Sequence, residues 1–355
     1  MVTPVYDITK PVLVTGATGF VAGWLVKRLL EEGFTVHGAV RNPEDATKVG
    51  HLTKLAKGQK GRLKLFKADL LDPGSYTEAM QDCSVVFHTA SPFTSKFTDP
   101  ERDLVDPAVK GTRNVLETAN GVPSVKRVVV TSSCAAIYGD AADCAKAPNG
   151  TLTEDVWNTT SDLTHQPYAF SKTEAEKAAW SIAEAQNRWS LVTINPSLVL
   201  GPGLAQFQTS DSFNLVRQLG DGSMKPGVPE FHIGGVDVRD VAEAHMRAGF
   251  IEAAKGRYIV SARTFSFLET AQILRQKFGP KWPFPTRQLP KALVWLIGPL
   301  VNKALTRKLV ARSVGHPWKA DNTRSKAELG MTYRPLDTAI TDMFQQMINA
   351  GYFKK

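Results

Sequence analysis

Two side chains suited to proton transfer, a phenol and an ammonium, stand four residues apart in the segment YAFSK, at Tyr168 and Lys172. On a helix this spacing places both on one face. Ser133, which ends a valine-rich run, adds a hydroxyl that could hold a carbonyl oxygen; Ser132 is the alternative, because successive strand positions face opposite sides. The three residues together predict a catalytic triad for hydride transfer, in which the phenol protonates the oxygen of a carbonyl group.

A glycine-containing turn near the N-terminus predicts where a hydride-carrying cofactor binds. The stretch TGATGFVAG, Thr15 to Gly23, follows a short apolar run and opens a helical pattern from Phe20 to Glu32. Gly16 permits a tight turn, and Gly19 lets the backbone approach a pyrophosphate at the helix N-terminus. An ordinary strand-to-helix turn is the alternative interpretation. We assign the first cofactor contacts to Thr15, Gly16, Gly19, Phe20 and Val21.

The end of the second predicted strand indicates which dinucleotide binds. An NAD site usually carries an acidic residue there, whereas this sequence reads AVRN, with Arg41 at that place. A guanidinium pairs well with a 2′-phosphate, and Lys48 could add a second charge, so we predict NADP(H). A solvated strand-end arginine is the alternative. Asp69, followed by Leu70, ends the third predicted strand and could accept a hydrogen bond from adenine or cap the next helix.

Proton transfer from a phenol near neutral pH would need a positive charge close to that phenol. The ordinary pKa of a tyrosine is about 10, which is too high for easy proton exchange. The neighbouring Lys172 ammonium and an oxidised nicotinamide would both favour the phenolate, so we expect a lowered pKa at Tyr168. In the alternative interpretation Tyr168 is a half-buried aromatic residue and Lys172 a surface charge.

Strand-like apolar runs alternate with helical patterns over the first two hundred residues, roughly, of the chain. The predicted strands are Pro11–Val14, Phe34–Asn42, Arg62–Leu70, Cys83–Pro92, Ser124–Ser133 and Trp189–Ser197. The predicted helices between them are Phe20–Glu32, Asp45–Lys57, Gly74–Gln81, Arg102–Asn120 and Phe170–Asn187. This rhythm predicts an α/β fold with a doubly wound parallel Rossmann sheet, followed by a smaller, mixed and mostly helical C-terminal substrate region.

The rhythm changes after Pro196, where glycines and prolines become frequent. We predict that residues 1–200 form an NADP-binding Rossmann domain, to which residues 231–260 return. Residues 201–230 and 261–355 form the predicted substrate-binding region. It would lie over the C-terminal edge of the sheet, where ligands of open α/β sheets bind.

The overall composition indicates which kinds of ligand the protein binds. The 43 basic and 34 acidic residues give a net charge of +9. We see no basic cluster of the kind that binds nucleic acid, and a diffuse positive surface suits small anionic ligands. The three cysteines form no Cys-x-x-Cys pair, so we expect neither a zinc site nor another metal site. We expect the protein to reside in a reducing compartment.

The apolar segments argue against stable membrane insertion. The N-terminal residues lack the apolar core of a signal peptide, which favours a cytoplasmic location. The longest apolar run, Ala292 to Val301, has about half the length of a membrane span. We expect this run to line the substrate cavity; a helix that touches a membrane is the alternative.

Nine segments, in the expected order, resemble the extended short-chain dehydrogenases/reductases, and specifically the group of dihydroflavonol reductases and cinnamoyl-CoA reductases, which includes microbial carbonyl reductases. The segments cover most of residues 11 to 250. They are VTGATGFVAGWLVKRLL, AVRNP, KADLLDPGS, VFHTASPF, DPAVKGTRNVLETA, RVVVTSS, YAFSKTEAEKAAW, INPSLVLGPG and VDVRDVAEAH.

This resemblance implies roles for individual residues. Ser133, Tyr168 and Lys172 would be the catalytic triad, with Lys172 also bound to the nicotinamide ribose, and Arg41 and Lys48 would contact the 2′-phosphate of NADP. Further cofactor contacts implied in this way are Thr89, Ala90, Pro196 and Val199. Many relatives pair helices to form a homodimer, which makes a homodimer possible here by analogy.

The substrate residues are predicted from their positions around Tyr168. Phe93 and Phe207 could form an apolar wall, although aromatic residues are also ordinary core residues, and His165 could face the substrate or belong to the loop. Ser133 would contact the substrate through the carbonyl oxygen. Cinnamoyl-CoA reductases carry an NWCY-like segment before the catalytic helix, whereas this chain reads EDVWNTTSDLTHQPYAF, which points to a different carbonyl substrate.

These observations favour an NADPH-dependent carbonyl reductase that converts an apolar or aromatic aldehyde or ketone into an alcohol. A sugar-nucleotide epimerase or dehydratase and a 3β-hydroxysteroid-type dehydrogenase are alternatives, because extended members share the triad. Arg41 in place of an acidic residue argues against the epimerases that retain NAD. A non-catalytic dinucleotide-sensing protein is a further alternative, but such proteins commonly lose the tyrosine or the lysine.

Overall fold

Strands and helices alternate along the N-terminal part of the chain, as the sequence predicts. The computed structural model describes residues 3–91, 97–208 and 210–353. In chain order the first elements are β1 (Val12–Thr15), α1 (Phe20–Glu32), β2 (Thr35–Val40), α2 (Ala46–Ala56), β3 (Arg62–Lys67), α3 (Thr77–Met80), β4 (Val85–His88), α4 (Asp106–Gly121), β5 (Arg127–Thr131), α5 (Pro167–Glu184) and β6 (Ser190–Pro196).

The C-terminal part is mixed at first and then helical. Its elements are β7 (Leu198–Leu200), α6 (Asp211–Asp221), β8 (His232–Asp237), α7 (Val238–Phe250), β9 (Gly256–Val260), β10 (Arg263–Ser266), α8 (Phe267–Phe278), α9 (Lys291–Val301), α10 (Arg307–Ser313), α11 (Thr323–Glu328) and α12 (Leu336–Ala350).

A seven-stranded parallel sheet forms the centre of the molecule, in the order β3-β2-β1-β4-β5-β6-β9. The three central valines of β5, Val128 to Val130, are all buried, because helices cover both faces of a parallel sheet. The strand order reverses between β1 and β4, which leaves a crevice beyond their carboxyl ends. Dinucleotides bind at such a switch point, so the predicted Rossmann fold is confirmed and the binding edge is defined.

A second sheet of three strands, in the order β10-β8-β7, lies in the C-terminal part. Strand β8 runs antiparallel to β10 and parallel to β7. The segment 231–260 is therefore shared between the two sheets: β8 belongs to the small one, whereas β9 pairs with β6 in the central one.

Three apolar clusters account for most of the core. Helices α1 and α7 cover one face of the central sheet with side chains such as Leu25 and Met246. Helices α4 and α5 cover the other face with Leu116 and Ile182. The third cluster joins α6, α8 and α12 around Phe344. Close packing on both faces holds the strand ends in place, and with them the residues of the crevice.

The apolar run Ala292 to Val301 forms almost all of α9. Of the eleven residues in this helix, the structure buries Val294 and Gly298 and leaves most of the others exposed. The expected burial of this run's apolar face is therefore wrong for most of its side chains, whereas its lining of the substrate cavity stays a prediction. Within the described ranges, no helix has both the length and the hydrophobicity needed to cross a bilayer.

Candidate active site

Tyr168 and Lys172 lie on one face at the start of α5, as their spacing predicts. The helix begins at Pro167, three residues earlier than the sequence pattern suggests, because Pro is well suited to the first helical position. The preceding Gln166 adopts a left-handed conformation with φ of 55° and turns the chain into the helix. The Lys172 Nζ atom lies 5.9 Å from the centre of the Tyr168 ring.

The two serines after β5 have separate surroundings. Ser133 forms a hydrogen bond with the Tyr168 side chain. Its Oγ atom also accepts a hydrogen bond of 3.1 Å from the Ala135 N–H, which fixes the turn after the strand. Ser132 points into the protein, where its Oγ donates to a Glu176 carboxylate oxygen at 2.5 Å. The structure thus brings Ser133, and not Ser132, to the tyrosine.

Burial dominates the acidity of Tyr168. Although 39% of the residue's surface is exposed, desolvation is the largest influence and raises the pKa of the phenol to about 12. The Asp211 carboxylate raises the pKa further, while the hydrogen bond with Ser133 lowers it. This differs from the expected lowered pKa, because desolvation outweighs the stabilisation of the phenolate. The phenol therefore carries its proton at neutral pH, as a proton donor must.

Lys172 is nearly buried, with 9% of its surface exposed, and this lowers its pKa to about 8. Desolvation causes the shift, and the negative charge of Glu176 partly opposes it. The Nζ atom donates a hydrogen bond of 3.0 Å to the Ser91 hydroxyl. Ser91 was not predicted from the sequence, although it directly follows the predicted residues Thr89 and Ala90.

A buried polar network lies below Lys172. Glu176, 1% exposed, forms an ion pair of 2.7 Å with Arg257 of β9. It also accepts hydrogen bonds from Thr193 Oγ1 at 2.9 Å and Asn195 Nδ2 at 2.8 Å, both on β6. This network ties α5 to the sheet. The sequence signal for it was the recurrence of a polar residue one helical turn after Lys172, which by itself does not identify partners.

The glycine turn between β1 and α1 is shaped for close backbone approach. Gly16 has φ of +62°, and a Cβ atom added there would lie 3.0 Å from the Ala90 Cβ. Gly19 precedes the helix, which has no acidic residue in its first turn and, among the described residues, no side chain capping its start. The N–H groups of that turn are therefore available to a pyrophosphate, and the helix dipole favours negative charge there.

Hydrogen bonds join the ends of β1 and β4 at the switch point. The buried Thr15 accepts a bond of 3.0 Å from the Ala90 N–H through its Oγ1, and its carbonyl accepts from Thr89 Oγ1 at 2.5 Å. The same Thr15 hydroxyl lies 3.0 Å from His88 Nδ1. Thr15 and Thr89 therefore shape the floor of the crevice through bonds within the protein, and Ala90 faces Gly16.

The other predicted cofactor residues lie around this edge. Arg41 and Lys48 are exposed, one at the end of β2 and the other in the first turn of α2. Asp69 and Leu70 follow β3, where Asp69 Oδ1 accepts a bond of 2.9 Å from the Leu71 N–H. Three further residues lie in or beside secondary structure: Phe20 and Val21 in the first turn of α1 and Pro196 at the end of β6. Val199 lies in β7 of the small sheet, three residues after Pro196, and packs against the same core cluster as Val21.

The predicted substrate residues lie in different surroundings. Phe93 lies outside the described residues. His165 is 4% exposed, and its Nε2 atom lies 2.9 Å from Asp140 Oδ2, so the imidazole is engaged within the protein. Phe207 is 60% exposed and its ring lies 5.3 Å from that of Tyr352. Asp211, near Tyr168 at the start of α6, was not predicted.

Comparisons with known proteins agree with this geometry. The family model for the NAD dependent epimerase/dehydratase family matches residues 12–257. Cinnamoyl-CoA reductase 1 of Petunia hybrida is 43% identical over 343 residues, which cover 96% of this chain and 93% of that protein. Tetraketide alpha-pyrone reductase 1 of Arabidopsis thaliana is 42% identical over 284 residues, covering 78% of this chain and 83% of that protein.

Solved structures show the same architecture with a cofactor. The yeast methylglyoxal/isovaleraldehyde reductase Gre2, in complex with NADPH, aligns with a TM-score of 0.76 at 29% identity and covers 97% of this chain and 99% of its own. The glycine turn, the uncapped helix and the absence of an acidic residue at the end of β2 fit such a ligand. The chain therefore belongs to the NAD dependent epimerase/dehydratase family of extended short-chain dehydrogenases/reductases and is an NADP-dependent reductase.

Proposed function

We propose that this enzyme reduces an apolar or aromatic aldehyde or ketone to an alcohol, with Tyr168 as the proton donor. The observation that carries the proposal is that three groups lie close together at one sheet edge. The Tyr168 hydroxyl is hydrogen-bonded with Ser133, and the Lys172 ammonium lies 5.9 Å from the tyrosine ring. A proton donor, a hydroxyl that can hold an oxygen and a positive charge are the groups that carbonyl reduction requires.

When bound, NADPH would supply the hydride for the new C–H bond at the carbonyl carbon, and the residues of this chain would hold the carbonyl group and supply the proton. Ser133 donates a hydrogen bond to the carbonyl oxygen and orients it toward Tyr168. As negative charge develops on that oxygen, the Tyr168 phenol transfers its proton and the C–OH group is complete. The Lys172 ammonium then stabilises the resulting phenolate until a proton from solvent restores it. Ser91 holds Lys172 in place through its hydrogen bond of 3.0 Å.

We further propose the following cofactor contacts. The glycine turn with Gly16 and Gly19 and the first turn of α1 with Phe20 and Val21 receive the pyrophosphate. Thr15, Thr89 and Ala90 form the floor beneath the ribose. Arg41 and Lys48 bind the 2′-phosphate, and Asp69 with Leu70 borders the adenine. Pro196 and Val199 border the carboxamide, and Lys172 contacts the nicotinamide ribose. The exposed Arg41 at the end of β2 supports the choice of NADP over NAD.

The binding of the cofactor and the binding of the substrate are assigned to two different parts of the chain. We propose that residues 1–200, with 231–260, hold the cofactor, and that residues 201–230 and 261–355 shape the substrate site. The aromatic character of the C-terminal part supports an apolar substrate: Phe207, Phe213 and Tyr352 form a chain of ring contacts of 5.3 and 6.0 Å. We propose that Ser133 and Phe207 contact the substrate. Relatives named for cinnamoyl-CoA, α-pyrone and isovaleraldehyde reduction agree with a carbonyl group as the reacting centre.

The test is Tyr168→Phe, assayed by NADPH oxidation with aliphatic aldehydes, aryl ketones, a steroid ketone and a nucleotide sugar. Loss of general acid catalysis should lower kcat/KM by about 10²- to 10⁴-fold, while the Kd for NADPH, measured by fluorescence, stays unchanged. Ser133→Ala should lower kcat with the same substrate. Activity retained in Tyr168→Phe would contradict the assignment, and turnover of the nucleotide sugar alone would contradict the substrate class.

A further inference from the structure

The C-terminal helix α9 presents an apolar surface that the rest of the described chain does not cover. Six large apolar residues of this helix are between 38% and 85% exposed: Leu293, Trp295, Leu296, Ile297, Leu300 and Val301. Single exposed apolar residues are common, but a contiguous exposed patch usually marks a binding surface. The opposite side of the helix is anchored, because Val294 packs with Val310 and Val314.

The charged residues that flank this patch in the sequence are all basic. Between Pro280 and Ala320 the sequence contains eight lysines and arginines and no acidic residue, so this segment has a net charge of +8, against +9 for the whole chain. The positive charge is therefore concentrated here, and the expectation of a diffuse positive surface is wrong for this segment. Lys291 begins α9, and the exposed Lys303, Arg307 and Lys308 follow its end. The Arg307 guanidinium lies 4.8 Å from the centre of the Trp295 ring, so a cation and an indole occupy the same side of the helix.

We infer that α9 and the residues to Lys308, called the α9 surface below, bind reversibly to the surface of a bilayer that contains anionic phospholipid. A short helix with leucine and tryptophan on one side and flanking lysine and arginine lies naturally in the lipid headgroup region. The apolar side chains enter the boundary of the acyl chains, the basic side chains meet the phosphates, and Trp295 occupies the interface between them. This association needs no spanning helix.

The charge distribution also favours this occupant over a second copy of the chain. Two α9 surfaces facing each other would bring like charges together, which opposes self-association. An anionic bilayer offers both an apolar interior and negative charge. The surface is held firmly to the catalytic part of the molecule, because Arg312 of α10 bonds Asp140 Oδ2 at 2.6 Å and Asp143 Oδ1 at 2.7 Å.

The experiment is flotation of the full chain with vesicles of phosphatidylcholine alone and with vesicles that also contain phosphatidylserine. We expect binding to the anionic vesicles only, and weaker binding as NaCl is raised, because salt screens the electrostatic part. Leu296→Ser combined with Leu300→Ser should reduce the partition coefficient by at least about tenfold, since both side chains lose their apolar contact with lipid. Lys303→Gln combined with Arg307→Gln should reduce it on anionic vesicles.

Matched controls use residues of the same type elsewhere on the surface. Val5→Ser with Ile8→Ser removes two apolar residues that are 82% and 49% exposed, and Lys57→Gln with Lys126→Gln removes two exposed charges. These controls should bind like the parent. All variants should keep the parent's melting temperature, so that a loss of vesicle binding does not reflect unfolding.

The inference is overturned if the parent does not bind anionic vesicles, or if the control pairs lose binding as strongly as the α9 pairs. It is also overturned if light scattering shows a dimer that the double leucine variant converts into a monomer, because the α9 surface would then belong to a second copy of the chain. Neither result depends on the proposed carbonyl reduction, since vesicle binding is measured without substrate.

Discussion

At neutral pH the Tyr168 phenol and the Lys172 ammonium are both protonated, since burial raises the pKa of the phenol to about 12 and lowers that of the amine to about 8. The protein thus keeps a proton on the donor and a positive charge beside it before any reaction takes place. The proposed transfer leaves a phenolate next to a cation, which is more favourable than a phenolate alone. The nearby Asp211 carboxylate opposes this phenolate.

Arg41 is the residue on which cofactor preference is predicted to depend. Arg41→Gln removes the proposed charge-assisted hydrogen bonds to the 2′-phosphate, which are worth about 1.5 to 3 kcal/mol. We expect kcat/KM measured with varied NADPH to fall by about 10- to 100-fold, with little change for NADH, because NADH has no 2′-phosphate. Initial rates with both cofactors at a fixed aldehyde concentration measure this.

Arg62→Gln is the matched control, because Arg62 is an exposed arginine at the start of the neighbouring strand β3 and lies at the opposite end of the sheet from the crevice. It should change neither rate. Equal losses with NADPH and NADH in Arg41→Gln would show that the side chain supports folding and does not select the cofactor.

At the scale of elements, α5 carries both the proposed catalytic residues and the carboxylate that anchors the helix to the sheet. Tyr168, Lys172 and Glu176 recur every four residues, so one side of the helix carries the proposed proton donor, the cation and the buried carboxylate. Glu176 is bonded to Thr193 of β6 and to Arg257 of β9, so it fixes the position of Lys172 relative to the sheet. The same carboxylate keeps the pKa of Lys172 from falling further.

Glu176→Gln should therefore destabilise the fold as well as the site. The substitution leaves the Arg257 guanidinium buried without its counter-charge, and breaking such a pair costs about 3 to 5 kcal/mol. Urea denaturation followed by circular dichroism measures the free energy of unfolding. The matched variant on the same helix is Glu174→Gln. The Glu174 Oε1 atom forms a surface ion pair of 2.9 Å with Lys177 Nζ.

Surface ion pairs contribute about 1 kcal/mol or less, so Glu174→Gln should leave the denaturation midpoint nearly unchanged. A loss of similar size in both variants would mean that α5 depends on its helical charge pattern and not on the buried network. A small effect of Glu176→Gln alone would show that hydrogen bonds from the neutral amide replace those of the carboxylate.

At the scale of the whole molecule, two buried histidines should make the fold sensitive to acid. Desolvation lowers the pKa of His88 to about 3 and that of His245 to about 4. His245 is held between the Val241 carbonyl at 2.8 Å and Thr131 Oγ1 at 2.6 Å, which joins α7 to the central sheet. Both imidazoles are therefore neutral in the folded protein.

The sign of the pH dependence follows from linkage. An unfolded histidine titrates near pH 6.5, so below that pH the unfolded chain binds protons that these two residues cannot accept while folded. Their contribution is complete above pH 6.5 and is lost as the pH falls toward 4. We expect the free energy of unfolding to decrease over this range, and His245→Gln to show a shallower decrease than the parent. Parallel slopes in urea titrations between pH 7 and pH 4 would contradict this.

Much of the architecture could be predicted from local patterns along the chain. Alternating apolar runs indicated the strands β1 to β6, because side chains of a strand must match its two faces, and the Gly16–Gly19 spacing indicated the turn before α1. The spacing of Tyr168 and Lys172 indicated a common helix face. The excess of basic residues between Pro280 and Ala320 is likewise a property of the sequence alone.

Only the tertiary structure decided which groups meet across the molecule. It turned Ser133 toward Tyr168 and Ser132 toward Glu176, and it paired Glu176 with Arg257, 81 residues later. It placed β8 in the small sheet and left the apolar side of α9 exposed. The reason is physical: periodicity and turn chemistry are local, whereas desolvation, ion pairing and the covering of a face depend on residues that only the folded chain brings together.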